Sequence, residues 1–173
     1  MSELIDLKRH AIRLGLCDKY KNIWDACRTK EELINMALDV NGIEFIADGY
    51  AYGWGLSTDY IIDNFIEFIN GDYLSRYDGY TTEMYVSKEL NLIPRATTTL
   101  IMDCSGDIEI PENKICSIYL AKSNIRLRCK GKCDLYIFNT EETKCEISSE
   151  YTKNVRITEK RKMEWNEIRM NYP

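Results

Sequence analysis

The sequence predicts an α+β fold, in which an N-terminal helical lobe precedes a short β-repeat that coils into a flattened β-solenoid. Two patterns support this class: apolar residues recur with helical spacing through residues 1–71, and a two-strand unit occurs three times between residues 107 and 160. A β-hairpin and connector are predicted at residues 72–96. The β-repeat lobe, with a C-terminal cap, then covers residues 97–173.

The helical lobe is predicted from start and stop signals as well as from spacing. After two short helices, the run Thr29–Glu32 fits a capping box and opens a third helix, which Gly42 closes. A short helical turn follows. Ser57 or Thr58 then caps a longer helix that ends at Gly71.

The hairpin is predicted where the pattern changes from helical to alternating. Asp78-Gly79 is a type I′ turn dipeptide, and it lies between the alternating segments 73–77 and 80–86. Pro94 interrupts any helix in the connector that follows.

The repeat is a seventeen-residue unit with copies at 107–123, 124–140 and 144–160. Each copy holds two short alternating strands, so every strand has one apolar face. A constant offset stacks equivalent residues, which favours a solenoid of about three coils. An antiparallel sandwich is the alternative, because six short strands at this spacing suit that class as well.

The same alignment predicts which residues stack between coils. It places Ile108 next to Ile125 in one set of strands and Leu135 next to Val155 in the other. The tail from residue 161 onward contains Trp165 and is predicted to cover the open end, because exposed strand edges invite association. Homo-oligomer formation through these edges is the alternative.

The cysteines are predicted to be packing thiols in a reducing compartment. Their number is odd and their spacing is not that of a disulfide framework. A zinc site would use Cys129 and Cys133 with Cys116 or Cys145, but no second close pair and no nearby histidine complete four ligands. No metal and no cofactor is therefore predicted. The seven cysteines are Cys17, Cys27, Cys104, Cys116, Cys129, Cys133 and Cys145.

Hydropathy predicts a cytoplasmic protein without a membrane partner. No run approaches the roughly 18 apolar residues that a membrane span requires. The segment Met1–Asp6 lacks the basic and then apolar order of a secretion signal.

Charge is distributed unevenly along the chain. Residues 32–89 contain eleven acidic and two basic residues, a net charge of −9, so the remainder carries +4 of the total of −5. Such a surface attracts basic partners and repels nucleic acid. Direct nucleic-acid binding is not expected, because the basic set of the repeats is small. That set is Lys122, Arg126, Arg128, Lys130 and Lys132.

Candidate catalytic groups are few, which favours a non-enzymatic interaction protein. The single histidine, His10, lies between Arg9 and Ala11 in the first predicted helix, away from any nucleophile motif. The glycine-rich and aromatic segment Asp48–Leu56 has two interpretations, core packing or a recognition surface. An enzyme or small-ligand site in that segment is an alternative function.

The predicted partner-binding surface combines carboxylates and aromatic residues of the acidic region. Three carboxylates recur at four-residue spacing and form one helical stripe, which suits a basic partner better than a metal ion. Tyrosines add contact area with a polar tip. The predicted residues are Glu44, Asp48, Tyr50, Tyr52, Trp54, Asp59, Asp63, Glu67, Tyr73 and Tyr77.

Five short motifs resemble those of small proteins encoded by bacteriophages and mobile elements of anaerobic gut bacteria. The motifs are Leu16-Cys17-x2-Tyr20-x3-Trp24, Asn41-Gly42-Ile43-Glu44-Phe45, Gly53-Trp54-Gly55-Leu56-Ser57, Ile69-Asn70-Gly71-Asp72-Tyr73 and Tyr80-Thr81-Thr82-Glu83-Met84-Tyr85. Small acidic phage proteins include inhibitors of host defence, such as anti-CRISPR proteins. The resemblance implies a phage or mobile-element context in the host-cell cytoplasm. The partner predicted for such a context is a protein with a basic surface, such as a nucleic-acid-binding defence nuclease. A self-assembling structural protein of a phage particle is the alternative.

Overall fold

The computed structural model describes residues 8, 9, 12 and 18–162, apart from the side chains of Asp18 and Val40. These residues form a β-solenoid of about four turns, with helices packed along one of its faces. The predicted α+β class is therefore confirmed. His10 and the predicted cap from residue 163 onward lie outside the described residues.

Within residues 18–162, four α-helices precede the strands. They are α1 (Asp18–Ala26), α2 (Lys30–Ala37), α3 (Val40–Ala51) and α4 (Thr58–Phe65), and a 3₁₀ turn, Ile66–Phe68, extends α4. The capping box of α2 is present as predicted, with reciprocal hydrogen bonds between Thr29 and Glu32. That helix ends before the expected stop, because Asp39 caps a new helix by accepting a 2.7 Å hydrogen bond from Gly42 N.

In the part of the chain that the structure describes, ten strands form two sheets. They are β1 (Ser75–Tyr77), β2 (Tyr80–Val86), β3 (Glu89–Leu92), β4 (Thr98–Met102), β5 (Ser105–Ile110), β6 (Ile115–Ala121), β7 (Asn124–Cys129), β8 (Lys132–Phe138), β9 (Lys144–Ile147) and β10 (Val155–Lys160). The six-stranded sheet has the order β1-β2-β4-β6-β8-β10, and the four-stranded sheet has the order β3-β5-β7-β9. Every pair is parallel except the β1–β2 hairpin, so the structure is the solenoid and not the antiparallel sandwich.

The solenoid begins earlier than the repeat indicated. The second strand of the predicted hairpin, β2, is also the first strand of the coil stack, and it pairs in parallel with β4. The offset between coils changes with corner length: Thr82 pairs with Thr98, whereas Thr98 pairs with Ser117. A search for a constant period therefore misses the first coils.

Two predicted stacking pairs are shifted by two residues. Ile108 pairs with Leu127 rather than Ile125, and Leu135 pairs with Ile157 rather than Val155. The corners between these strands are longer than the repeat implies, and this extra length accounts for the shift. Because side chains alternate with a period of two, the shift leaves each of these residues facing the interior.

The corners that leave the six-stranded sheet share one backbone conformation. At each of them the residue after the strand has a positive φ between 49° and 56°, which turns the chain sharply into the four-stranded sheet. The corner residues are Ser87, Asp103, Lys122 and Asn139. The stack is reinforced between corners, since Ser87 N donates to Met102 O at 3.0 Å and Asp103 N donates to Ala121 O at 3.1 Å.

Two apolar cores use opposite faces of the six-stranded sheet. One fills the solenoid and includes Ile101, Leu120 and Leu135. The other lies between the helices and the outer face, where Leu100 packs in the same cluster as Ile61. Every residue of β4 is consequently buried, and the helices and the coils are held together by a continuous packed layer.

The first edge of the six-stranded sheet is covered. β1 pairs with one part of β2, and Asn70 occupies the rest: its N–H donates to Met84 O at 2.8 Å, and its Oδ1 accepts from Val86 N at 2.9 Å. Natural sheets commonly protect an edge in this way.

Candidate functional site

The outward side of α4 carries the predicted carboxylate stripe. Asp59 and Asp63 are exposed, whereas Ile61 and Phe65 on the opposite side are buried in the core that α4 shares with the six-stranded sheet. Ile66 continues the exposed side and is 55% accessible. We define Asp59, Asp63, Ile66 and Glu67 as the acidic face.

Most of the acidic face has no evident role in holding the fold. Asp59 and Asp63 make no hydrogen bond or ion pair to any residue that the structure describes. Glu67 lies 3.5 Å from Lys30 Nζ, with both side chains about half exposed, so solvent screens that pair. The carboxylates are available to a partner.

The predicted residues Glu44 and Tyr52 attach α3 to the last strand. Glu44 forms an ion pair with Lys160. The Tyr52 hydroxyl donates to Lys160 O at 2.7 Å and accepts from Asn139 N at 3.1 Å. The Lys160 ammonium also lies 5.5 Å from the centre of the Tyr136 ring. These contacts assign Glu44 and Tyr52 to the fold.

The segment Asp48–Leu56 is packed rather than presented to solvent. Asp48 is fully buried and accepts a 2.8 Å hydrogen bond from Trp54 Nε1. A Cβ atom on Gly49 would lie 2.9 Å from the Cα of Gly55, so the two backbones touch. The structure therefore favours the packing interpretation, and the side chain of Asp48 is not accessible to a partner in this conformation.

The remaining predicted aromatic residues are half-buried. Trp54 meets the ring of Phe45 edge-on at a centroid distance of 4.9 Å. Tyr50 lies beneath the Lys122 ammonium at 5.3 Å, and burial raises the pKa of its phenol. The Tyr73 hydroxyl is 3.0 Å from Asn35 Oδ1. Tyr77 is half-buried in β1, away from the acidic face.

The structure thus brings together three of the ten predicted partner-binding residues, Asp59, Asp63 and Glu67, and adds Ile66. Ile66, an apolar residue within the span of the predicted helix, lies at the surface rather than in the core. Its position three residues after Asp63 and seven after Asp59 was the signal that it shares their side of the helix.

The basic set of the repeats is largely neutralised by neighbouring coils. Arg126 forms a two-pronged pair with Asp107 at 2.7 and 2.6 Å, and Lys130 Nζ lies 2.7 Å from Glu109. The Arg128 guanidinium lies over the ring of Tyr151 at 5.9 Å. These pairs run across the outside of the four-stranded sheet and link one coil to the next.

The cysteines of the solenoid face its interior. Cys116 pairs with Cys133 across adjacent strands, at the seventeen-residue offset of the repeat, and both are buried. Burial raises the pKa of Cys104 to about 11, and the hydrogen bond to Cys116 together with burial raises the pKa of Cys133. Thiols that stay protonated in apolar surroundings act as packing groups. Within residues 18–162, no three metal-ligating side chains converge on a point that could hold an ion.

Several carboxylates are buried or bonded within the fold, so the surface is less negative than the sequence suggests. Glu83 is buried at the start of the solenoid interior and accepts 2.8 Å and 3.4 Å hydrogen bonds from the backbone N–H groups of Arg95 and Ala96. Asp48 is buried as well, and Asp39 caps α3. The net charge of residues 32–89 therefore overstates what a partner meets, and the acidic face is where free carboxylates adjoin an exposed apolar side chain.

Comparison with known proteins found no matching protein-family model, curated protein or solved structure. Among the described residues, no helix combines the length and the apolar composition that crossing a bilayer requires.

Proposed function

We propose that the protein is a non-enzymatic interaction protein that binds a basic surface of another protein through the acidic face of α4. The observation that carries this proposal is the exposure of Asp59 and Asp63, which have no partner among the described residues, beside Ile66. Carboxylates steer a basic partner, and a central apolar side chain supplies contact area.

The partner class that we propose is a nucleic-acid-binding defence protein. Such proteins present basic channels to phosphate, and aligned carboxylates can occupy the same channel. The resemblance of the sequence to small phage and mobile-element proteins supports this choice. It also supports the cytoplasm of a host cell as the place of action.

Binding of purified candidate defence nucleases to charge variants tests the proposal. Asp59→Asn, Asp63→Asn and Glu67→Gln are combined in one variant, which should bind about tenfold or more weakly, because each exposed ion pair contributes modestly and three are removed. Affinity of the unmodified protein should also fall as the salt concentration rises.

The matched control removes the same charge from the solenoid. Glu112→Gln, Glu141→Gln and Glu150→Gln lie at exposed sites and should leave affinity within about twofold of the unmodified protein. Equal losses from the two triple variants would show that only net charge matters, and the acidic face would lose its assigned role.

A further inference from the structure

The two ends of the coil stack carry opposite charge. Residues 58–92, from α4 to β3, contain seven acidic and two basic residues, a net charge of −5. Residues 144–162, from β9 to the end of the described chain, contain six basic and three acidic residues, a net charge of +3. The molecule is therefore polar along the solenoid axis.

The acidic face and the positive region are well separated. α4 packs against β2, the first strand of the coil stack, whereas β10 is the last strand of the same sheet. Four strand spacings lie between β2 and β10, which corresponds to about 19 Å. One chain cannot bring its own two ends into contact.

Among the described residues, the last coil has an unpaired strand edge with an exposed apolar side chain at its centre. β10 pairs with β8 on one side, and no described strand pairs with its other side. Ile157 follows Leu135 in the row of interior side chains, yet it is 49% accessible because no described coil follows it. Uncovered strand edges are sites where another chain associates unless a helix or loop covers them.

Basic residues outnumber acidic residues along the chain on either side of Ile157. Lys153 and Lys162 are exposed, and Arg156 is exposed although it also pairs with Asp134 at 2.8 Å. We define Lys153, Arg156, Ile157 and Lys162 as the basic end. Like the acidic face, it presents one isoleucine that is about half exposed, and its net charge has the opposite sign, although Glu159 is exposed two residues from Ile157 on the same side of β10.

We propose that the basic end is a docking surface for the acidic face of a second copy of this chain, so that α4 of one molecule covers the open edge of the next. The inference rests on the proposed function and names one partner for the acidic face. Opposite charges and paired isoleucines make the two surfaces complementary.

The contact is heterologous, because two different surfaces meet. Such a contact leaves one free acidic face and one free basic end in every dimer, so association continues into chains or closed rings. Like ends repel, which excludes the symmetrical pairing of two basic ends.

Sedimentation velocity over a concentration series tests this contact. At low ionic strength of about 0.01 M the average mass should rise with concentration beyond twice that of the 20.3 kDa chain, and it should return to the single chain at about 1 M. A protein that remains a single chain throughout the series overturns the proposal.

Two variants that each block one surface make the test specific. Asp59→Asn with Asp63→Asn removes the acidic surface, and Lys153→Gln with Lys162→Gln removes the basic one. Each variant alone should stay a single chain. An equimolar mixture should form a dimer and nothing larger, since one intact surface of each kind remains.

The mixture also separates disrupted folding from a blocked contact, because misfolded variants would not restore a dimer. The control Lys114→Gln with Lys132→Gln changes the same number of bases in the middle coils and should assemble like the unmodified protein. A mixture that stays monomeric, or blocked variants that still assemble, overturns the proposal. If the chain never self-associates but the acidic face still binds a defence nuclease, the proposed function stands without this inference.

Discussion

At the scale of single residues, burial separates the charges that build the fold from those that remain free. Asp48 and Asp59 lie eleven positions apart and have the same side chain, yet one is fully buried and bonded to Trp54 while the other is exposed. A buried carboxylate requires hydrogen-bond donors, and Trp54 supplies one. Mutations at the two positions should consequently have different effects.

We expect Asp48→Ala to lower the free energy of unfolding by about 1–3 kcal/mol, because it removes the acceptor of the Trp54 Nε1 hydrogen bond in a buried site. Asp59→Ala, at an exposed position of a helix, should change it by less than about 0.5 kcal/mol. Urea denaturation of both variants measures the difference. Equal effects would show that the Asp48 contact adds little.

Alkaline pH should destabilise the fold through its buried thiols. The folded-state pKa of Cys104 is raised to about 11 from an ordinary value near 9 by burial, with the protonated form favoured in the fold. The stabilisation from the protonated Cys104 thiol is therefore fully present below about pH 9. It is lost as the pH rises toward 11, and the free energy of unfolding then falls by up to about 1.4 kcal/mol per pH unit for this one thiol.

Denaturant titrations at several pH values provide the measurement for Cys104. Cys104→Ala removes this titrating group, so its stability should fall less steeply between about pH 9 and pH 11 than that of the unmodified chain. Burial raises the pKa of Tyr85 to about 12, so its ionisation also destabilises the fold, at still higher pH. Tyr85 is present in both proteins and does not cause a difference between them. Parallel pH profiles would contradict the assignment to Cys104.

At the scale of elements, the two edges of the six-stranded sheet differ in how they are covered. Asn70 and β1 satisfy the first edge of the six-stranded sheet, while the last edge, at β10, has no described strand beside it. Asn70 also has a positive φ of 58°, a conformation that asparagine tolerates better than most residues. The structure of this edge therefore depends on the Asn70 side chain as well as on the hairpin turn.

Asn70→Ala should cost about 1–3 kcal/mol of stability, because it removes the acceptor of Val86 N and places alanine at positive φ. Asn70→Gly removes the same acceptor without the conformational strain. Comparing the two by thermal or urea unfolding separates these causes. Asn91→Ala, at an exposed site on β3, is the control and should be nearly neutral. A neutral Asn70→Gly would indicate that conformational strain alone matters.

At the scale of the whole molecule, the sequence predicts the class of fold better than its register. Alternation identified the strands, and the capping residue Thr29 identified a helix start, because both depend on local chemistry. The first coils were missed since corner lengths vary, and no constant offset links Thr82, Thr98 and Ser117. Local sequence patterns do not show how many residues a corner contains.

The candidate site was predictable to a similar degree. Four-residue spacing placed Asp59, Asp63 and Glu67 on one side of a helix. All three are exposed, Asp59 and Asp63 on α4 and Glu67 in the 3₁₀ turn that extends it. The burial of Asp48 and the pairing of Glu44 with Lys160 depend on contacts between residues far apart in sequence, which composition does not reveal. Long-range packing thus reduced ten predicted residues to a compact acidic face.

Carboxyl footprinting by mass spectrometry tests the central claim most directly. A carbodiimide labels exposed carboxylates of the protein alone and with a binding partner present, and Glu112 and Glu141 on the solenoid serve as internal references. The account predicts that Asp59 and Asp63 become protected while both references remain reactive. Unchanged labelling of Asp59 and Asp63, in a complex that protects another surface, would contradict it.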